Sequence, residues 1–175
     1  MRITEKVIAA SVFAMLAGCS LFGSKDTKNQ PAPLVELKGG MVPRTVWKYS
    51  MNKAGTAVLT PAISGESVYV ADGDGVLARL NAASGKEAWR VKTGVDLTAG
   101  VGTDGEVVAV GGKKGVILAY DANGKELWRG QASSEVLSSP VVGGGLVVVR
   151  SVDNLITAYD AKTGVKKWSV ARTTP

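Results

Sequence analysis

The 175-residue sequence has no histidine and only one cysteine. Without imidazole, the usual nucleophile–histidine pairs and histidine metal sites are excluded. A lone cysteine excludes an intramolecular disulfide. Long apolar runs are also scarce. The eleven residues VIAASVFAMLA (7–17) fall short of the roughly 20 that a helix needs to cross a bilayer. The carboxylates read as single residues on turns rather than pairs on one face, so no general acid–base set emerges. No catalytic residue, metal site or cofactor is expected, and the chain reads as a non-enzyme.

What is present begins at the N-terminus. Arg2 and Lys6 precede the apolar run and small residues follow it, the order of an export signal. Leu16-Ala17-Gly18-Cys19 resembles the lipobox of bacterial lipoproteins. That resemblance implies cleavage before Cys19 and a diacylglycerol on its sulfur, with Cys19 as the lipidation site. An ordinary secretory signal with an incidental buried cysteine is the alternative. Each buried CH₂ contributes about 0.8 kcal/mol, and two acyl chains already suffice for stable anchoring. Ser20 after the lipid site implies, by the same resemblance, sorting to the outer membrane.

Residues 1–18 are thus expected to be a signal peptide and 19–44 a lipid-anchored tether, rich in Lys, Gly, Pro, Asn and Gln with no sustained period. Fully extended, the tether reaches at most about 80 Å, and as a flexible coil it averages nearer 30 Å. Arg2 and Lys6 leave with the signal along with Glu5, so the net charge of +6 becomes +5. Lys113-Lys114 and Lys166-Lys167 fall on turns or strand starts without interleaved aromatics, which argues against nucleic acid.

The remaining residues, 45–175, repeat. NAASGKEAW, DANGKELW and DAKTGVKKW each place a tryptophan four residues after a glycine: Gly85 and Trp89, Gly124 and Trp128, Gly164 and Trp168. Trp47 precedes Trp89 by 42 residues, and the later steps are 39 and 40. A period near forty points to a propeller or a solenoid. Each unit alternates β-branched runs with Gly- or Asp-rich breaks and shows no helical period, so the fold is expected to be all-β. Asn81, Asp121 and Asp160 are expected to cap tight turns through their side-chain oxygens, with the following glycine supplying positive φ. An indole buries about 150–250 Å², worth roughly 4–6 kcal/mol before entropy is subtracted. One sheet cannot hide that area. Each tryptophan is therefore expected at the contact between successive sheets, the alternative being the core of its own sheet.

Two motifs look chemical. Gly100, Gly102 and Gly105 form a literal G-x-G-x-x-G, but a strand-like run follows it where a dinucleotide site needs a helix. ADGDG (71–75) suggests a calcium loop, yet Val76 stands where an oxygen ligand is needed and the trailing Glu is missing. Both read as turns.

The repeated phrases over roughly residues 58–170 resemble those of PQQ-type propellers. Gly18-Cys19-Ser20-Leu21-Phe22, the Pro-rich tether, the Trp47 strand and Ser139-Pro140-Val141-Val142 resemble the BamB family within them. The resemblance implies an eight-bladed ring of four-stranded blades, about 320 residues at this period. The sequence supplies about three blades and a closing strand around Trp47, so it reads as the N-terminal part of a longer protein or a shortened gene product. Exposed edges at both ends of such an array favour association.

The implied function is a scaffold on the periplasmic face of the outer membrane. Its implied partners are the central barrel-inserting subunit of the β-barrel assembly machinery and unfolded outer-membrane proteins. The partner-gripping loop of that family follows the third unit, so no partner-contact residue is assigned. Alternatives are the front of a lipid-anchored PQQ-dependent oxidoreductase or another periplasmic binding propeller.

Overall fold

The computed structural model describes residues 43–171. The signal peptide, most of the tether and Cys19 lie outside the described residues. Twelve strands form three four-stranded antiparallel sheets, each running in chain order from first strand to last. The first sheet holds β1 (Ala62–Ser64), β2 (Ser67–Ala71), β3 (Val76–Asn81) and β4 (Glu87–Lys92). The second holds β5 (Gly102–Thr103), β6 (Val107–Gly111), β7 (Val116–Asp121) and β8 (Glu126–Gln131). The third holds β9 (Val141–Gly143), β10 (Leu146–Arg150), β11 (Leu155–Asp160) and β12 (Lys166–Ala171). The only helical element among the described residues is a 3-10 turn at Lys113–Gly115.

The three sheets share their local irregularities as well as their order. A register shift between the third and fourth strands recurs at Arg79/Leu80, Ala119/Tyr120 and Ala158/Tyr159. It accommodates the turn that follows, where a side-chain oxygen takes over the backbone donors. The Asp160 Oδ1 atom accepts from the amides of Lys162 and Thr163 at 3.1 and 3.0 Å. The Asn81 Oδ1 atom accepts from those of Ala83 and Ser84 at 3.2 and 3.0 Å. These local bonds satisfy donors that no ladder could reach.

Pairing registers sort each sheet into two faces, because residues directly opposite across strands project to the same side. Ala62, Tyr69, Arg79 and Trp89 share one face of the first sheet. Ala109, Ala119 and Trp128 share the matching face of the second. The buried side chains then fall into two clusters, both spanning a pair of sheets. Tyr69 and Leu77 of the first sheet meet Val108, Val110, Leu118 and Tyr120 of the second. Ile117 and Trp128 of the second sheet meet Val147, Val149 and Tyr159 of the third. The core lies between sheets, so each sheet depends on its neighbour for burial.

The connectors fix that neighbour relation. Leu97 bridges to Gly112 and Val136 bridges to Ser151, in each case the second-to-third strand turn of the following sheet. At the first strands the backbones crowd together. A Cβ at Gly100 would lie 2.5 Å from both the Ser139 hydroxyl and the Thr60 amide, and one at Gly102 would collide with the Pro140 carbonyl. Gly105 sits in the β5–β6 turn at φ +99°. The three glycines of the G-x-G-x-x-G string thus serve close backbone approach and a turn. Among the described residues, one face of the first sheet and one of the third are not covered by another sheet.

Candidate functional site

The phrase that repeats in the sequence builds a site that repeats in space. Three of the four indoles, those of Trp47, Trp89 and Trp128, rest on the glycine turn of the sheet that follows them. A Cβ at Gly85 would meet Trp47 Cδ2 at 2.6 Å, one at Gly124 would meet Trp89 Cδ2 at 2.9 Å, and one at Gly164 would meet Trp128 Cδ2 at 2.6 Å. All three glycines have φ between +69° and +83°, the left-handed region open to glycine at little cost. The indole edge is satisfied too. Trp47 Nε1 donates to the Ala82 carbonyl at 2.8 Å, Trp89 Nε1 to Ala122 at 2.9 Å and Trp128 Nε1 to Ala161 at 2.8 Å. One short phrase therefore supplies the knob for the following sheet and the socket for the preceding one.

Trp168 follows the same sequence rule and occupies the same strand position, opposite Ala158. It is 43% exposed, whereas Trp128 is 8% exposed. Among the described residues no turn lies beyond it to receive its ring. Trp47 departs in the other direction. It belongs to no strand, yet it fills the Gly85 socket as a strand-borne indole fills the others.

The segment around Trp47 is fastened by contacts distant in sequence. The Tyr49 hydroxyl donates to Glu87, and Arg90 Nη2 donates to Tyr49 at 2.6 Å and pairs with Glu87 at 3.1 Å. Burial pushes the Tyr49 phenol up, while the Tyr49 hydrogen bond pulls the Glu87 carboxyl down. The buried Asp72 carboxylate accepts from the Val76 amide at 2.8 Å and from Asn52 at 3.3 Å. The ADGDG string thus works as a hairpin turn whose first acid ties the leading segment to the first sheet. Glu87 and Glu126 begin strands rather than lying on turns, which corrects the expected placement of these two carboxylates, and each pairs with an arginine, Arg90 and Arg129. In the second sheet, burial and the Glu126 charge raise the Tyr120 phenol to about 12.

Opposite the glycine turns, the connectors and the second-to-third strand turns form a common edge. A depression of about 270 Å³ there is bordered by Lys53, Gly73, Asp74, Asp96 and Lys113. Its principal charges neutralise each other, since Lys113 Nζ lies 2.8 Å from Asp96 Oδ2. A second depression of about 220 Å³ is bordered by Leu137, Ser138, Arg150, Ser151 and Val152. No group of three or more acidic, Cys or His side chains able to hold a metal occurs among the described residues. The geometry is built for adhesion between sheets.

The class that this fold defines is the propeller repeat: four-stranded antiparallel blades joined by an aromatic side chain seated on the next blade. The family follows from the sequence comparison. A family model described as "Outer membrane protein assembly factor BamB" matches residues 43–95 and 73–175, and the chain belongs to that family. It is 39% identical over 114 residues to the outer membrane protein assembly factor BamB of Burkholderia pseudomallei, covering 65% of this chain and 29% of that protein. The crystal structure of BamB from Moraxella catarrhalis superposes with a TM-score of 0.60 at 26% identity, over 65% of this chain and 35% of that one. The quinohemoprotein alcohol dehydrogenase ADHIIG of Pseudomonas putida HK5 shares the fold, with a TM-score of 0.58 at 23% identity over 69% of this chain and 21% of that one. The chain spans about a third or less of the length of these relatives.

Proposed function

We propose that this chain serves as a non-enzymatic scaffold in outer-membrane protein assembly, displaying its connector edge and turns to other components of the machinery. The observation that carries this reading is the family match across residues 43–175. The repeated indole sockets support it, because a surface made of mutually seated sheets holds its loops in fixed relation. In this reading residues 1–18 direct export, Cys19 carries the lipid, and 19–44 tether the repeat domain to the periplasmic face of the outer membrane. The partners are the central barrel-inserting subunit and unfolded outer-membrane proteins.

Two experiments test it. Co-purification of the tagged chain with the barrel-inserting subunit is expected, and its failure under conditions that retain the other components contradicts the partner assignment. Metabolic labelling with a fatty acid is expected in the wild type and lost in Cys19→Ala.

A second reading, the front of a lipid-anchored quinoprotein oxidoreductase, draws on the shared fold with the alcohol dehydrogenase. Incubation with PQQ and calcium followed by a dye-reduction assay separates the two, and turnover above a protein-free control would favour the enzyme.

A further inference from the structure

The residue before the socket glycine differs among the three turns: Ser84 in the first sheet, Asn123 in the second and Thr163 in the third. Of these side chains only that of Asn123 carries a carbonyl carbon that the next backbone nitrogen can attack, the reaction that makes asparagine thermolabile. Asn123-Gly124 is the only Asn-Gly pair in the sequence, and glycine has no side chain to obstruct the attack. Asn123 is also exposed to water.

The first sheet clamps this same turn. Gly124 N–H donates to the Asp121 carbonyl at 3.0 Å, and Asp121 Oδ1 accepts from the Asn123 and Lys125 amides at 2.8 and 2.9 Å. The Ala122 carbonyl accepts from both Trp89 Nε1 and Arg79 Nη1 at 2.9 Å. The Trp89 ring lies over Gly124, with Cδ2 2.9 Å from where a Cβ would stand. The Gly124 nitrogen becomes a nucleophile only when its proton leaves, and that proton is committed to Asp121 while the clamp holds. Local opening of the junction between the first and second sheets releases it.

We propose that Asn123 is a site of spontaneous deamidation gated by the junction between the first and second sheets. In the opened turn the Gly124 nitrogen gives up its proton and bonds to Asn123 Cγ. The Cγ–Nδ2 bond breaks, and Nδ2 leaves as ammonia with that proton. Water then opens the cyclic imide, and nothing is oxidised or reduced. Cleavage at Cγ restores an ordinary backbone with an aspartate in place of Asn123. Cleavage at the main-chain carbonyl carbon leaves isoaspartate, with the chain running through Cβ and Cγ. That route adds a methylene, about 1.5 Å of chain, just before the glycine on which the ring rests. The socket then no longer fits the indole, and a junction that has opened does not close again.

The test follows the tryptic peptide Gly115–Lys125 by mass spectrometry while the full chain is incubated in mildly alkaline buffer, with enzymatic methylation of isoaspartate as a second readout. Asn123 is expected to convert several-fold faster in the urea-unfolded chain than in the folded one, and Asn123→Gln should stay unconverted in both over the same period. Trp89→Ala should accelerate conversion in the folded chain. Should that variant fail to fold, a low-urea series on the wild type replaces it: conversion and hydrogen exchange of the Gly124 amide should rise together. The refolded isoaspartate form should melt below Asn123→Asp, which carries the same charge on an unextended backbone. No conversion of Asn123 in either state overturns the site. Equal rates in the folded and unfolded chains, a folded Trp89→Ala that converts at the wild-type rate, or conversion that does not follow Gly124 exchange overturns the gate. Equal melting of the isoaspartate form and Asn123→Asp overturns the failure to re-close.

Discussion

Trp128 and Gly164 belong to different sheets, yet the indole ring occupies the space that a side chain at Gly164 would need: a Cβ there would lie 2.6 Å from Cδ2 and 2.8 Å from Cγ. Two penalties therefore coincide at Gly164. Its φ of +71° costs a non-glycine residue about 1–2 kcal/mol, and displacing the ring adds an overpacking cost of about 1–3 kcal/mol. Gly164→Ala is expected to destabilise the protein by roughly 2–5 kcal/mol in chemical denaturation. Gly144, at φ +58° with nothing within 4 Å of its would-be Cβ, is the control. Gly144→Ala should show the backbone penalty alone. Equal costs at the two sites would mean that the ring contact contributes nothing.

Asp72 supplies a second test because it holds two elements with one carboxylate. Asp72→Ala leaves the buried Val76 amide without its acceptor and releases Asn52. The expected cost is about 1–3 kcal/mol, with faster hydrogen exchange in residues 47–53 as well as in the β2–β3 turn. A loss confined to the turn would show that the leading segment is held by other contacts.

The Asp160 turn makes stability depend on acid. The Thr163 hydroxyl and amide, with the Lys167 ammonium, lower the Asp160 carboxyl from 3.8 to about 2. A carboxyl depressed on folding stabilises the native state above its unfolded pKa, and that contribution is lost as pH falls from about 4 to about 2. Asp160→Asn keeps a neutral acceptor, the arrangement that Asn81 adopts in the first sheet. The variant should melt close to wild type near neutral pH and show a shallower decline in melting temperature over the acid range. An unchanged slope would remove Asp160 from the account of acid sensitivity.

Much of this was legible because the phrase is a local instruction. An Asn or Asp followed by a positive-φ glycine specifies the turn, and a tryptophan four residues later lands on the next strand at a fixed height, whatever the rest of the chain does. The β-branched runs flanking Gly111 and Gly115 marked β6 and β7 for the same reason. Contacts that depend on the path of a distant segment were not legible. Nothing near Glu87 announces Tyr49, and ADGDG reads as a turn without revealing that its first carboxylate reaches Asn52. Trp168 carries the same signature as Trp128, yet their exposures differ because burial is set by whether another sheet lies against the ring. The G-x-G-x-x-G string was separable from a nucleotide site by the strand that follows it. The crowding of Gly100 against Thr60 and Ser139 came only with the packing of the first strands.

The central claim is that one indole binds two sheets into a cooperative unit, and native-state hydrogen exchange on Trp128→Ala tests it most directly. The substitution should cost about 3–5 kcal/mol, and protection should fall in both the β5–β8 and β9–β12 sheets. Trp168→Ala, at an exposed site, should cost about 1 kcal/mol or less. Loss of protection confined to β5–β8 in Trp128→Ala, with β9–β12 unaffected, would contradict the claim.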